Sequence, residues 1–276
     1  MSATPVDADA FRQFERAAHS DKAESYADLF AVVTDRAINP LLDAARVSNG
    51  TRLVDVACGP GHLSRAAAAR GARVIGTDLA PAMVALARRL HPGLDFSECS
   101  AEALPFAANA FDAVVCAFGI GHFPEAERVA AEFMRVLATG GVAAFSWWEG
   151  FTRNRINGIF HETIARLGVS APGLLPQGPP MDRFSDADRF AEFLRTAGFT
   201  NVRIDSVTFS HRLRDANALW ELAMGSFARA SATIGAQSIE MQQDIRRAIT
   251  DAARPYAVPG GLDIPVAFLV AAGMKP

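Results

Sequence analysis

Apolar residues in this 276-residue chain gather into short runs separated by stretches of helical spacing. The runs at 53–57, 73–77, 94–98, 111–117 and 142–147 read as buried strands, and segments 62–70, 81–90 and 125–137 read as helices between them. Gly140 and Gly141 follow the last of these helices, where a C-cap is expected. Such alternation means a parallel sheet with helices on both faces. After Trp148 the spacing predicts a helix over 151–168, a Pro/Gly-rich loop over 172–184, and a helix over 185–197 begun by Ser185 or Asp186. A strand over 202–213, helices over 215–234 and 239–253, and a last strand over 264–272 follow. Ahead of the sheet, Phe11, Phe14 and Ala18, then Tyr26, Leu29, Phe30 and Val33, recur at near-helical spacing.

Residues 51–79, TRLVDVACGPGHLSRAAAARGARVIGTDL, join two of the strands through a glycine turn and an alanine-rich helix. Gly59 and Gly61 let the backbone approach a ligand, and a helix opening at about Gly61 offers unpaired N–H groups. Asp78 ends the second strand 23 positions after Asp55, where an acid can take two ribose hydroxyls. The acid ahead of the turn departs from the dinucleotide fingerprint. It repels a pyrophosphate and attracts a cationic or amino-bearing ligand.

From about Arg36 to Trp148 these residues resemble the class I S-adenosylmethionine-dependent methyltransferases, in particular the ubiquinone/menaquinone-biosynthesis branch. The resemblance implies an α/β, Rossmann-like, doubly wound sheet of seven mostly parallel strands. Its last strand runs antiparallel beside the sixth, and helices form a lid over the substrate. It implies one methyltransferase domain, with a helical cap over 1–50, a cofactor-binding core over 51–148, lid insertions over 149–200 and 214–260, and the last strand over 262–276. The cofactor implied is S-adenosyl-L-methionine, the product S-adenosyl-L-homocysteine, with no metal. The family's Asp-x-Gly-x-Gly-x-Gly loop, which holds the methionine end of the cofactor, corresponds to Asp55, Ala57, Cys58, Gly59 and Gly61, alanine standing for the first glycine. Asp78 matches the ribose acid, and Leu79 and Met83 match apolar residues beside the adenine. CSAEALPFAANAFDAVV is similar to the adenine segment, represented by Ser100, Ala101 and Glu102; Ser100 stands where relatives carry Asp and offers a weaker acceptor. Relatives fold the N-terminal helices over the cofactor, so Tyr26 either closes that pocket or packs on the sheet.

Composition narrows the partners. A net charge of −3 gives no electrostatic footprint for nucleic acid or acidic lipid. No basic run, secretion signal or apolar stretch of about 18 residues appears, so a soluble cytoplasmic monomer or homodimer is expected. The three cysteines, Cys58, Cys99 and Cys116, lack metal-ligand spacing and read as packing on the cofactor side. With 19 Phe, 7 Met and 2 Tyr, the substrate pocket is expected to be apolar and its substrate a hydrophobic small molecule.

A sulfonium methyl is already electrophilic, so such an enzyme must align the reactants, exclude water and remove a proton when the nucleophile carries one. His122, in AFGIGHFPE, is the candidate base; the alternative is a histidine that caps the next helix or bonds a carbonyl. The resemblance puts its loop beside the methyl group, together with Phe118. His161, Glu162 and Glu149 are weaker candidates, while His19, His62, His91 and His211 read as structural. One of Trp147 and Trp148 faces the substrate, and Trp147 is the candidate. Trp220 and Met224 share a helix side with Leu219, Ala223 and Phe227, as core or as substrate wall, and His161 is a further substrate contact. No Asn/Asp-Pro-Pro-Tyr/Phe turn or paired-glutamate hairpin is present.

The resulting expectation is methyl transfer to oxygen, carbon or nitrogen of a small, mostly apolar acceptor. Two alternatives stay open: a cyclase or pericyclase-type enzyme that uses the bound sulfonium as a fixed charge, and a cofactor-binding protein without catalysis. A pocket filled by Trp147 and Phe118 favours the latter.

Overall fold

The computed structural model describes residues 7–171, 173 and 175–276. Its five leading strands are β1 (Arg52–Val56), β2 (Arg73–Asp78), β3 (Asp95–Glu98), β4 (Phe111–Ala117) and β5 (Leu137–Trp148). They pair in parallel in the order β3-β2-β1-β4-β5. Helices α5 (His62–Ala69), α6 (Pro81–Leu90) and α7 (Ala126–Val136) connect them. β6 (Thr200–Leu213) forms the far edge, and β8 (Gly261–Met274) runs antiparallel between β5 and β6. The two-residue β7 (Ala257–Val258) folds back on the start of β8, which makes eight strands among the described residues where seven were expected.

The N-terminal residues form four helices, α1 (Ala8–Asp21), α2 (Ala23–Leu29), α3 (Ala31–Thr34) and α4 (Ile38–Ala44). Asp7 starts α1 by accepting the Ala10 N–H at 3.0 Å. Beyond the core come α8 (Arg155–Arg166), α9 (Ala187–Thr196), α10 (Ala216–Ser226), α11 (Ala228–Gly235) and α12 (Ile239–Ala253). Asp186, Asp215 and Ser238 cap α9, α10 and α12 through their side chains. Pro172 and Leu174, within the loop expected over 172–184, lie outside the described residues. Among the described residues no helix is long and apolar enough to cross a membrane.

Three local expectations are corrected. Gly140 and Gly141 do not cap α7, which ends one turn earlier where Leu137 is already extended (ψ 139°). They lie within β5 as a bend, Gly140 at φ 78°, and exchange backbone hydrogen bonds with Lys275. The expected helix over 151–168 starts only at Arg155, after a turn. The expected helix over 215–234 is two helices, broken at Phe227, whose ψ of 93° is extended. That break turns the Phe227 ring onto Phe30 and Phe160, at centroid distances of 5.2 and 5.8 Å.

The central strands β1, β4 and β5 are largely buried on both faces, with Phe133 stacked on Phe145 and Trp147 fully enclosed. Gly121, in the loop after β4, abuts the Trp147 ring so closely that an added Cβ would lie 2.0 Å from it. Overpacking at such a contact costs about 1–3 kcal/mol. Gly121→Ala is therefore expected to lower the unfolding free energy by that amount, read as a lower urea midpoint at unchanged slope. An unchanged midpoint would contradict the packing of this loop on Trp147.

Candidate functional site

A cavity of about 280 Å³ opens at the carboxyl ends of β1, β2 and β4, where an open α/β sheet places its ligands. Its acidic end is built by the turn after β1. Ala57, Gly59 and Gly61 all have positive φ (57°, 52° and 82°), and at Ala57 this left-handed conformation costs roughly 1–2 kcal/mol because a Cβ crowds the backbone. Asp55 is fully buried. Its Oδ2 accepts from the Ser64 hydroxyl at 2.6 Å, while Oδ1 has no hydrogen-bond partner among the described residues. Burial, with help from nearby Asp78, pushes the carboxyl up to about 7.

Asp78 ties the two loops together. One of its oxygens accepts from the Gly59 N–H and the other from the Ala80 N–H, both at 2.9 Å, and each keeps a lone pair for a ligand. Burial raises its pKa despite these bonds. Cys58, Leu79, Met83, Cys99 and Ala101 add an apolar lining. Tyr26 covers the cavity from α2, its hydroxyl 3.3 Å from Thr34 Oγ1, and burial pushes the phenol up to about 12.

The other end is aromatic. Phe118 also has a positive φ (55°), held by its N–H to the backbone carbonyl and hydroxyl of Ser146, and its ring stacks on Trp148 at 3.9 Å. Phe30 and Phe227 complete this wall, and Asn157 and His161 of α8 reach it. Burial pushes the His161 pKa down, and its ring stacks on Phe151 at 4.4 Å.

His122 lines the same cavity on the loop that carries Phe118. Its Nδ1 lies 3.0 Å from Oε2 of Glu15, and its ring meets His19 and Trp147 edge-on at 5.2 and 5.4 Å. Burial opposes its protonation, but the charges of Glu15 and Asp78 outweigh this and raise its pKa. Glu15 sits on the buried face of α1, one turn beyond Phe11. Desolvation raises its pKa, yet His122, His19 and Arg229 bring it below the ordinary glutamate value. Sequence reasoning passed over Glu15, although its place at i+4 from Phe11 marked a charge on an apolar face.

Several expected residues lie elsewhere. Trp147 is beneath the cavity, its indole N–H donating to the Met181 carbonyl at 3.0 Å, and strand alternation turns Trp148 to the cavity instead. Trp220 packs against Phe160 and under Arg246, and Met224 packs against the core while its carbonyl accepts from Lys22. The break at Phe227 explains both: it sends Ser226, Phe227 and Arg229 to the cavity in place of the α10 side. Ser100 and Glu102 are also outside the lining. The Ser100 hydroxyl accepts from the Glu102 N–H, and Glu102 anchors Arg12 at 2.6 Å. Gly61 packs on Phe96, leaving no room for a Cβ.

A family model described as a methyltransferase domain matches residues 54–145. An uncharacterized protein of Mycobacterium tuberculosis is 34% identical over 160 residues, 55% of this chain, and the match spans 56% of that relative's length. Demethylmenaquinone methyltransferase of Renibacterium salmoninarum is 39% identical over 170 residues, 59% of this chain and 72% of the relative. The chain belongs to the class I S-adenosylmethionine-dependent methyltransferases. Phosphoethanolamine N-methyltransferase 2 of Haemonchus contortus, solved with phosphomonomethylethanolamine and S-adenosylhomocysteine, has this fold with a TM-score of 0.53 at 18% identity; the match covers 87% of this chain and 52% of that one.

The free oxygen of Asp55 fits the family's cofactor, since a buried carboxylate short of one partner is completed by an ammonium group. Without that ligand, a pKa raised on folding adds stability that is full below pH about 4 and lost as pH rises through about 7. Asp55→Asn is expected to flatten this part of the stability profile of the ligand-free protein, followed by thermal unfolding. It should also weaken S-adenosylmethionine binding by about 1–3 kcal/mol in calorimetry. An unaltered profile with unaltered affinity would show that Asp55 does neither.

Proposed function

We propose that this protein transfers the methyl group of S-adenosylmethionine to a small, mostly apolar acceptor, and that the acceptor is a ring carrying an acidic proton, as in a hydroquinone. One observation carries the reading: a single cavity joins the half-partnered carboxylate of Asp55 to an aromatic wall of Phe30, Phe118, Trp148 and Phe227, with His122 on the same lining. The demethylmenaquinone methyltransferase relatives support a quinone-type acceptor. Trp147 lies outside the cavity, which counts against a pocket plugged by side chains. The small net charge supports a small molecule over nucleic acid.

In this reading Asp55 takes the ammonium of the cofactor and Asp78 its two ribose hydroxyls. Leu79, Met83 and Ala101 hold the adenine, Cys58 and Gly59 follow its methionine end, and Tyr26 closes over it. The bound cofactor supplies an electrophilic methyl on a positively charged sulfur. Phe118 and Trp148 offer π faces to that charge and to a flat acceptor ring. Phe30 and Phe227 exclude water from the reacting atoms. His122 receives the acceptor's proton at Nε2, because its Nδ1 is turned to Glu15. The acceptor–carbon bond forms as the sulfur–carbon bond breaks, and the sulfur leaves neutral.

Calorimetric titration tests the cofactor half of this assignment. S-adenosylmethionine and S-adenosylhomocysteine are both expected to bind, and Asp78→Ala should weaken both by about 1–3 kcal/mol. Failure of the folded wild type to bind either would refute the reading. Incubating the protein with S-adenosylmethionine and a panel of naphtho- and benzohydroquinones should then yield methylated product by mass spectrometry. Products for polar amines alone would refute the acceptor class.

A further inference from the structure

We propose that Glu15, carried by α1, is the positioning residue that makes His122 a base. The proposal rests on the methyl-transfer reading above and adds a residue to it.

The two groups come from separate elements, α1 and the loop after β4, and the docking of α1 brings them together. Positions 12, 15, 16 and 19 form one polar stripe on that helix at i, i+3, i+4 and i+7 spacing. Arg12 grips Glu102 at 2.6 Å and Glu125 at 3.0 Å, and Arg16 grips Glu98 at 2.6 Å. These ion pairs fasten α1 across the loops that follow β3 and precede α7. Glu15, between them, is thereby pressed into the cavity with 6% of its surface exposed.

A carboxylate in that position is costly unless a cation meets it. Among the described residues its oxygens have no hydrogen-bond partner of good geometry. The groups near them are His122 Nδ1 at 3.0 Å and His19 Nδ1 at 3.4 Å, and the His19 nitrogen also lies 3.0 Å from the Glu15 carbonyl. His122 is therefore the partner left to Glu15. Its other nitrogen, Nε2, stays available to take a proton. The titratable groups facing His122 are Glu15, Asp78 and His19, with Arg229 acting on Glu15 from α11. The carboxylates favour its protonated form, which makes the neutral ring a stronger base.

The test is an ¹⁵N NMR titration of histidine-labelled protein in complex with S-adenosylhomocysteine, with His122 assigned through His122→Asn. In the wild type His122 is expected to titrate above the ordinary histidine value with its proton on Nδ1, and in Glu15→Gln its pKa should fall. With a hydroquinone found active in the panel above, Glu15→Gln should reduce turnover at saturating acceptor by about tenfold or more, with KM and S-adenosylhomocysteine affinity held within about twofold. The acid limb of its pH–rate profile should move to lower pH, which a merely structural role would not produce. A His122 pKa at or below the ordinary value in the wild type, or one unaltered in Glu15→Gln, would overturn the proposal. So would a divalent ion held stoichiometrically by the purified protein and lost in Glu15→Gln. Wild-type affinity for S-adenosylmethionine, measured on the same preparation, separates the two readings: its absence removes methyl transfer, while normal affinity with an unaltered His122 titration removes only the role of Glu15.

Discussion

Three carboxylates, two buried and one half-buried, crowd one small cavity, and much of the surrounding structure can be understood as compensation for them. Asp55, Asp78 and Glu15 come from a strand interior, a strand end and a helix face, and all line the same space. Water cannot screen charges held this way, so each must be met by a fixed dipole, a cation or a ligand. Asp78 is met by backbone N–H groups, Asp55 by one hydroxyl, and Glu15 by histidine. The set is incompletely neutralised, and that deficit is what a positively charged ligand can remove.

Backbone strain serves the same end. Two alanine- and phenylalanine-sized side chains occupy left-handed conformations, Ala57 after β1 and Phe118 after β4. Neither lies in a free turn: Gly59 is tied to Asp78, and the Phe118 N–H is tied to Ser146. The sheet overdetermines both loops and so can hold them in shapes they would not adopt alone. One such shape brings the backbone close to the acidic end, and the other swings an aromatic ring onto Trp148. The site therefore depends on the rigidity of β1, β4 and β5 as much as on its own side chains.

The strands and the helices between them were legible in the sequence because a buried parallel strand leaves an uninterrupted apolar run, and the acids at 55 and 78 stand out against such runs. Legibility failed where one residue has two plausible uses. Phe227 fits the apolar stripe of a continuous helix, yet breaking the helix there buries its ring between Phe30 and Phe160. Gly140 and Gly141 suit a helix cap and equally a bend inside a strand, and only the pairing with Lys275 decides. Trp147 and Trp148 are equivalent in composition and differ only in strand parity. Glu15 was hidden for another reason, since its partner is a histidine 107 positions away and the pair exists only in three dimensions.

The insertion of β8 between β5 and β6 has a consequence for how the chain reaches its native state. β5 and β6 do not pair with each other along the sheet path; each pairs with the strand that appears last in sequence. As the chain leaves the ribosome, the parallel half can form while β5 presents an unpaired, largely apolar edge and β6 has no sheet to join. Both wait for residues 261–274, so the sheet closes in a late, long-range step, and the interval before it is when the chain is most prone to pair with a neighbour of its own kind.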